Sequence, residues 1–226
     1  ITSIILKELF SSGSFSFKYF YERRIRRILP VLLVVMIASL PLAWIYLIPS
    51  HFEDYSNSIL YSLGFSSNFY FYYSGQEYGA IDGSLKPFLH TWSLSVEEQF
   101  YILFPVIILL VYKYFRSYLI HVLILGFLIS LGLAEWTSRN YPRFNFFVLP
   151  TRGWELLAGS ILAYCELTYR RVVKSHFFNK IMPGLGLIII ICSIFFINEE
   201  MFHPSLYTLS PIIGVSLIIW FSNKEE

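Results

Sequence analysis

The sequence predicts an all-α fold: a polytopic bundle of transmembrane helices with about six to seven spans. Three observations predict it. Only 14% of the 226 residues are charged and 56% are hydrophobic, whereas a soluble domain carries roughly 25% charged residues. Mean hydropathy is +0.58. Several apolar stretches also approach the ~20 residues that a helix needs to cross a ~30 Å hydrocarbon core. The same composition excludes disorder, collagen and coiled coil. The net charge of +2, with no basic-aromatic stripe, gives no nucleic-acid footprint. Cys165 and Cys192 lie in apolar runs with neither disulfide nor metal spacing, so both read as small buried hydrophobes. No metal site is expected.

In chain order, Ile1–Leu6 reads as the tail of a hydrophobic helix that starts earlier. Ile28–Ile48 is uncharged and the clearest span, with Pro30 near its start, where a missing N–H costs little. Tyr55–Gly75 is uncharged but rich in Ser, Tyr and Phe, and is open to three readings: crossing, lying at the interface, or dipping in and returning. Phe88–Tyr112 is apolar over its second half and carries Glu97 and Glu98 in its first. Ser117–Ala134 carries His121, and Phe144–Cys165 carries Pro150, Arg152 and Glu155. Ile181–Asn198 and Pro204–Ser222 are uncharged. Gly126, Gly132, Gly184 and Gly186 inside spans would allow close helix approach. If Tyr55–Gly75 does not cross, 13 of the 17 Lys and Arg residues fall on one side. The positive-inside rule makes that side cytoplasmic and implies a multi-pass protein of the cell inner (cytoplasmic) membrane. The Arg23–Arg27 cluster is then cytoplasmic and the His51–Thr91 region faces outward.

Charge within a span costs roughly 2.5–3.5 kcal/mol on insertion scales, so the few ionisable groups there carry the functional signal. In His90-Thr91-Trp92-Ser93-Leu94-Ser95-Val96-Glu97-Glu98-Gln99-Phe100-Tyr101, helical spacing puts His90, Ser93 and Glu97 on one face and Glu98 farther round. The rise from Glu98 to Tyr112 is ~21 Å, which puts the carboxylates in the outer third of the bilayer. A desolvated Glu beside a His suits general acid-base chemistry; a structural network between helices is the alternative. Arg152 and Glu155 are i,i+3 on one face, and Gly159 lies one turn on, where a helix or ligand can come close. A self-compensating pair that fixes packing is the alternative there. Arg23, Arg24, Arg26 and Arg27 stand before Ile28. They anchor the span, or they bind a phosphorylated ligand through guanidinium forks and the N-terminal dipole of the following helix. His51, His121, His176 and His203 are isolated and read as packing or interfacial residues, and Asp54 and Asp82 have no partner spacing.

At these motifs the chain resembles acyltransferase family 3, a group of integral membrane O-acyltransferases that modify lipopolysaccharide and other extracytoplasmic glycans. The matching pieces are Arg23-Arg24-x-x-Arg27-Ile28-x-Pro30, the whole His90–Tyr101 segment, and Arg152-x-Trp154-Glu155-Leu156-x-x-Gly159, in the family's order. The resemblance covers essentially the whole chain. It implies that an acyl group, most often acetyl, is taken from acyl-CoA on the cytoplasmic side and delivered to a sugar hydroxyl outside. Arg23, Arg24 and Arg27 would hold the CoA phosphates. His90, Ser93, Arg152 and Glu155 would line the substrate cavity, and Glu97 or Glu98 would support the catalytic base. The family's catalytic histidine sits on its first helix, and no histidine here matches it. Residues 1–226 are therefore expected to form a partial domain that lacks that helix and further C-terminal ones, and to be inactive alone. The partners implied are the lipid bilayer and a glycan acceptor; protein partners are undefined. A transporter or flippase for a glycan or lipid-linked intermediate is the competing reading, and a purely structural bundle is a third. A CoA site needs the arginine cluster, and a proton-coupled carrier does not.

Overall fold

The computed structural model describes residues 1–75, 86–169, 176–198, 201 and 203–222. Asp82 lies outside these, as does the side chain of His176. The described residues are helical and contain no strand. The helices are α1 (Thr2–Ser12), α2 (Phe17–Tyr46), α3 (Pro49–Leu63), α4 (Ser67–Ser74), α5 (Thr91–Phe115), α6 (Leu119–Asn140), α7 (Pro142–Phe147), α8 (Leu149–Tyr169), α9 (His176–Phe196) and α10 (Leu209–Phe221). Three apolar segments are long enough to cross a bilayer: Phe17–Tyr46, Thr91–Asn140 and Phe177–Phe196. The 50-residue segment comprises α5 and α6, joined by a single 3-10 turn. Leu206–Phe221 is a shorter apolar helix. The chain forms two compact units, Ser14–Tyr101 and Ile1–Gly13 with Ile102–Glu226.

In the unit Ser14–Tyr101, α2 starts at Phe17, eleven residues before the uncharged run expected to be the span. Pro30 and Pro41 are inside the helix rather than at its start. Arginine is a good helix former, so the cluster extends the helix instead of preceding it. The expected N-terminal dipole at Arg23–Arg27 is therefore absent, because those turns are already hydrogen-bonded helix. The helix stops at Leu47 and Ile48, whose ψ angles of 138° and 157° are those favoured before a proline, and Pro49 opens α3. Tyr55–Gly75 is broken in the middle. Gly64 ends α3, Phe65 takes φ 50°, and α4 folds back, so that the Tyr61 and Tyr70 rings stack 4.9 Å apart. Helices of 15 and 8 residues are too short to cross. This excludes one continuous spanning helix over the stretch.

In the other unit, α6 and α8 pack along their length, with Trp154 fully buried beside Leu131 and Ala134. The Phe144–Cys165 stretch is two helices, because Val148 is extended and Leu149-Pro150 restarts the chain as α8. Close approach occurs at Gly126 and Gly186 but not at Gly132 or Gly184, where a Cβ would meet nothing within 4 Å. At the α9–α10 crossing, a Cβ on Gly186 would lie 2.5 Å from the Gly214 carbonyl. Cys165 is half-buried and Cys192 is exposed, contrary to the expectation that both are buried. Cys192 lies near the end of α9, close to Ile194, Phe195 and Phe196, which are 72–78% exposed. An apolar run in such a helix therefore does not by itself mark burial against protein. The polar residues are inside: Ser62, Ser67, Asn68 and Ser95 in one unit, and Thr137, Asn145, Thr151 and Ser160 in the other, are all at most 2% exposed.

Candidate functional site

α5 presents three faces in its first three turns, and each has a separate task. Thr91, Ser95 and Gln99 recur every four residues and therefore line one stripe. They fasten the broken hairpin. Thr91 and Ser62 hydroxyls lie 2.6 Å apart, Thr91 donates to Ser67 at 3.0 Å, and the Ser67 and Ser95 hydroxyls lie 2.8 Å apart. Gln99 Nε2 donates to Asn68 Oδ1 at 2.9 Å and to the Phe65 carbonyl at 3.0 Å. That bond helps hold the left-handed Phe65, a conformation a bulky residue adopts only when its surroundings enforce it.

The second face carries Glu98 and Tyr101 toward α2. Arg24 Nη2 donates to Glu98 Oε1 at 3.0 Å, and the Arg24 guanidinium lies 3.4 Å from the centroid of the Tyr101 ring. Phe20 flanks it at 5.8 Å, and Tyr21 donates its hydroxyl to the Tyr101 carbonyl at 3.2 Å. The Arg24 and Glu98 side chains are 17% and 10% exposed. Arg24 Nε is buried without a hydrogen-bond partner, so one of the five N–H donors of the guanidinium is unspent. The sequence puts the arginines at the cytoplasmic mouth and Glu98 in the outer third of the bilayer. Their direct contact corrects this, because the two groups share one level of the α2–α5 pair. Arg24 is thus already matched by a carboxylate, whereas Arg23 and Arg27 are exposed.

The third face carries His90, Ser93 and Glu97, all exposed. His90 stands in the turn before α5, and Ser93 Oγ donates to its carbonyl at 3.1 Å. Glu97 accepts only a long 3.4 Å bond from the Tyr101 hydroxyl. The expected burial of both carboxylates therefore holds for Glu98 alone. Between this end of α5 and α2 runs an apolar groove of about 500 Å³, lined by Ile28, Val31, Val35 and Phe88, with Arg27 and His90 also on its wall.

In the unit containing α8, Arg152 and Glu155 do form the expected i,i+3 pair, at a loose 3.5 Å. Arg152 Nε also donates to the Phe146 carbonyl at 3.0 Å, and the guanidinium lies 4.9 Å from the centroid of the Phe146 ring. The surrounding polar groups are spent on the α7–α8 corner. Thr151 donates to the Asn145 carbonyl at 2.7 Å, Asn145 Nδ2 to the Pro204 carbonyl at 2.6 Å, and Ser130 Oγ to the Pro150 carbonyl at 2.6 Å. Gly159 does not act as a close-approach point, since nothing lies within 4 Å of a Cβ built there. Sequence reasoning missed the Ser62–Thr91–Ser67–Ser95 hydroxyl chain and Tyr101. The four-residue spacing of Thr91, Ser95 and Gln99 was the available signal for the chain. Tyr101 had no signal beyond its motif.

Comparison with known proteins places this geometry in a family. An acyltransferase domain profile matches residues 9–225. An uncharacterised protein of Haemophilus influenzae is 34% identical over 234 residues, covering all of this chain and 95% of that one. The peptidoglycan O-acetyltransferase OatA of Listeria monocytogenes is 28% identical over 242 residues, covering all of this chain and 38% of that one. A Staphylococcus aureus protein proposed by name to be an O-acetyltransferase is 31% identical over 211 residues, covering 88% of this chain and 34% of that one. The chain thus spans little more than a third of the latter two relatives. No solved structure matches. The membrane-spanning helices and the profile match across nearly the whole chain together make this protein a member of the acyltransferase domain family, acyltransferase family 3.

Proposed function

We propose that the chain is the membrane-embedded domain of an O-acyltransferase in the inner membrane of the cell. It takes an acyl group, most often acetyl, from cytoplasmic acyl-CoA and delivers it to a sugar hydroxyl of an extracytoplasmic glycan of the cell envelope. The observation that carries the reading is the Arg24–Glu98 pair set beside two exposed arginines on one helix of a family member. Arg23 and Arg27 offer planar donors for CoA phosphates. Glu98 and the Tyr101 ring hold Arg24 in one orientation, leaving its remaining donors to complete the anion site. The apolar groove beside Arg27 and His90 suits the uncharged arm and acyl end of such a donor.

Chemically, the sugar hydroxyl must lose a proton as it attacks the thioester carbonyl, and the carbonyl oxygen must be stabilised as charge develops. Glu97 and Glu98 support the base rather than supply it. His90 contacts substrate at the groove, with Ser93 bonded to its carbonyl beside it, and within the other unit Arg152 with Glu155 offers a polar contact of its own. The names of two relatives, one a peptidoglycan O-acetyltransferase, support acetyl as the group and a glycan as the acceptor. The test is acetylation of cell-surface glycan by the natural protein and by its Arg23→Ala, Arg27→Ala and Glu98→Gln variants, with protein level measured in parallel. The reading predicts loss of acetylation in all three, at normal protein level for the two arginine variants. Wild-type acetylation from all three variants would refute it.

A further inference from the structure

A second polar hollow lies in the unit Ser14–Tyr101, and none of the motif residues lines it. Its wall is formed by His51, Asp54 and Tyr55 of α3, Tyr70 and Phe71 of α4, and Lys86. The free space is about 20 Å³, which admits a single oxygen atom with its hydrogen. The aromatic walls are fixed: Tyr55 is 2% and Phe71 is 1% exposed. The polar groups are also held. Tyr70 donates its hydroxyl to the Asp54 carboxylate at 3.2 Å and to the Asp54 carbonyl at 3.1 Å, and Lys86 Nζ donates to Ser74 Oγ at 3.0 Å. His51 has no hydrogen bond or ion pair among the described residues.

This chemistry selects a neutral hydroxyl. A carboxylate entering the hollow would meet Asp54, and an ammonium would meet Lys86. A hydroxyl can donate to the carboxylate while accepting from His51 or Lys86. Position agrees with chemistry, because the hollow adjoins Leu47, at the end of α2 away from the arginines. From Arg27 to Leu47 the helix rises ~30 Å, about the thickness of a hydrocarbon core. Pro87 lines both the hollow and the apolar groove beside Arg27, so the two adjoin along this helix.

We propose that the His51–Asp54–Tyr70–Lys86 hollow is an acceptor subsite that seats one hydroxyl of the glycan, a binding role distinct from the donor end of the domain. This rests on the acyl-transfer reading. The experiment uses the natural protein, expressed from its complete gene and reconstituted in liposomes, with acetyl-CoA and an N-acetylhexosamine oligosaccharide as acceptor. His51→Gln is expected to raise the acceptor KM about tenfold, the effect of one lost hydrogen bond to a well-seated group. The donor KM and thermal stability should be unchanged, and Asp54→Asn should act in the same direction. An unchanged acceptor KM in both variants overturns the proposal. So does a fall in kcat and thermal stability without a KM split, which identifies the hollow as the seat of a structural water only. If the wild-type protein transfers no acetyl at all, the functional reading fails instead. The subsite is then judged by direct oligosaccharide binding, where equal affinity of wild type and His51→Gln overturns it.

Discussion

Glu98→Gln separates charge from shape at the contact between α2 and α5. The variant keeps side-chain size and can still accept from Arg24, but it leaves the guanidinium without its counter-ion. The pair is held at 3.0 Å with side chains 17% and 10% exposed, so solvent screens it little. A hydrogen bond to a charged group contributes about 1.5–3 kcal/mol, and breaking a buried pair by removing one partner costs about 3–5 kcal/mol. Here the Tyr101 ring, 3.4 Å from the guanidinium, still shelters the cation and offsets about 0.5–2 kcal/mol. Glu98→Gln should therefore destabilise the protein by about 2–3 kcal/mol. In a double-mutant cycle with Arg24→Gln, the double variant should be less damaged than the sum of the singles, with a coupling of about 2 kcal/mol. Denaturant titration in detergent micelles, followed by tryptophan fluorescence, measures all four corners. A coupling below about 0.5 kcal/mol would show that the two residues act independently, and the site's proposed geometry would fall with it.

Three further predictions follow from other contacts. Gly186→Ala drives a methyl to within 2.5 Å of the Gly214 carbonyl, so α9 and α10 must separate; overpacking of this kind costs about 1–3 kcal/mol, read as a lowered Tm. The matched Gly132→Ala, where nothing lies within 4 Å, should be neutral or slightly stabilising. Gln99→Leu strips donors from the Phe65 carbonyl and Asn68; it should cost about 1–3 kcal/mol and speed proteolysis near the Gly64–Ser66 turn, and an unchanged proteolytic pattern would count against that role. Trp154→Phe removes a buried indole N–H that has no partner; it should change stability by less than about 1.5 kcal/mol, and a larger loss in Tm scans would reveal a bond that the structure lacks.

The fold class was legible because hydropathy over a 20-residue window reports the solvent directly, and lipid is this chain's solvent. Helix ends were less so. Counting apolar residues began the first long helix at Ile28, yet the arginines before it are themselves helix formers and the helix begins at Phe17. The break at Gly64–Ser66 was visible only as an ambiguity, since serine- and tyrosine-rich helix and turn read alike until the Thr91–Ser95–Gln99 stripe gives the hydroxyls their partners. The Arg152–Glu155 pair could be read because its partners lie within one turn. The Arg24–Glu98 contact could not, because 74 residues separate the two and nothing local encodes which helices meet. Glycines were legible only in part. Gly186 and Gly126 meet a neighbour and Gly159 does not, which depends on where the next helix passes rather than on the residue.

The account's central claim is that a donor held at one end of α2 serves an acceptor on the other side of the bilayer. Sealed vesicles of known orientation, carrying the natural protein and labelled acetyl-CoA on only one face, test it most directly. The account predicts O-acetylated glycan on the opposite face, only when the donor is on the cytoplasmic side, and its loss in the paired Arg23→Ala, Arg27→Ala variant. Equal labelling with the donor on either face, or transfer unaffected by that variant, would contradict it.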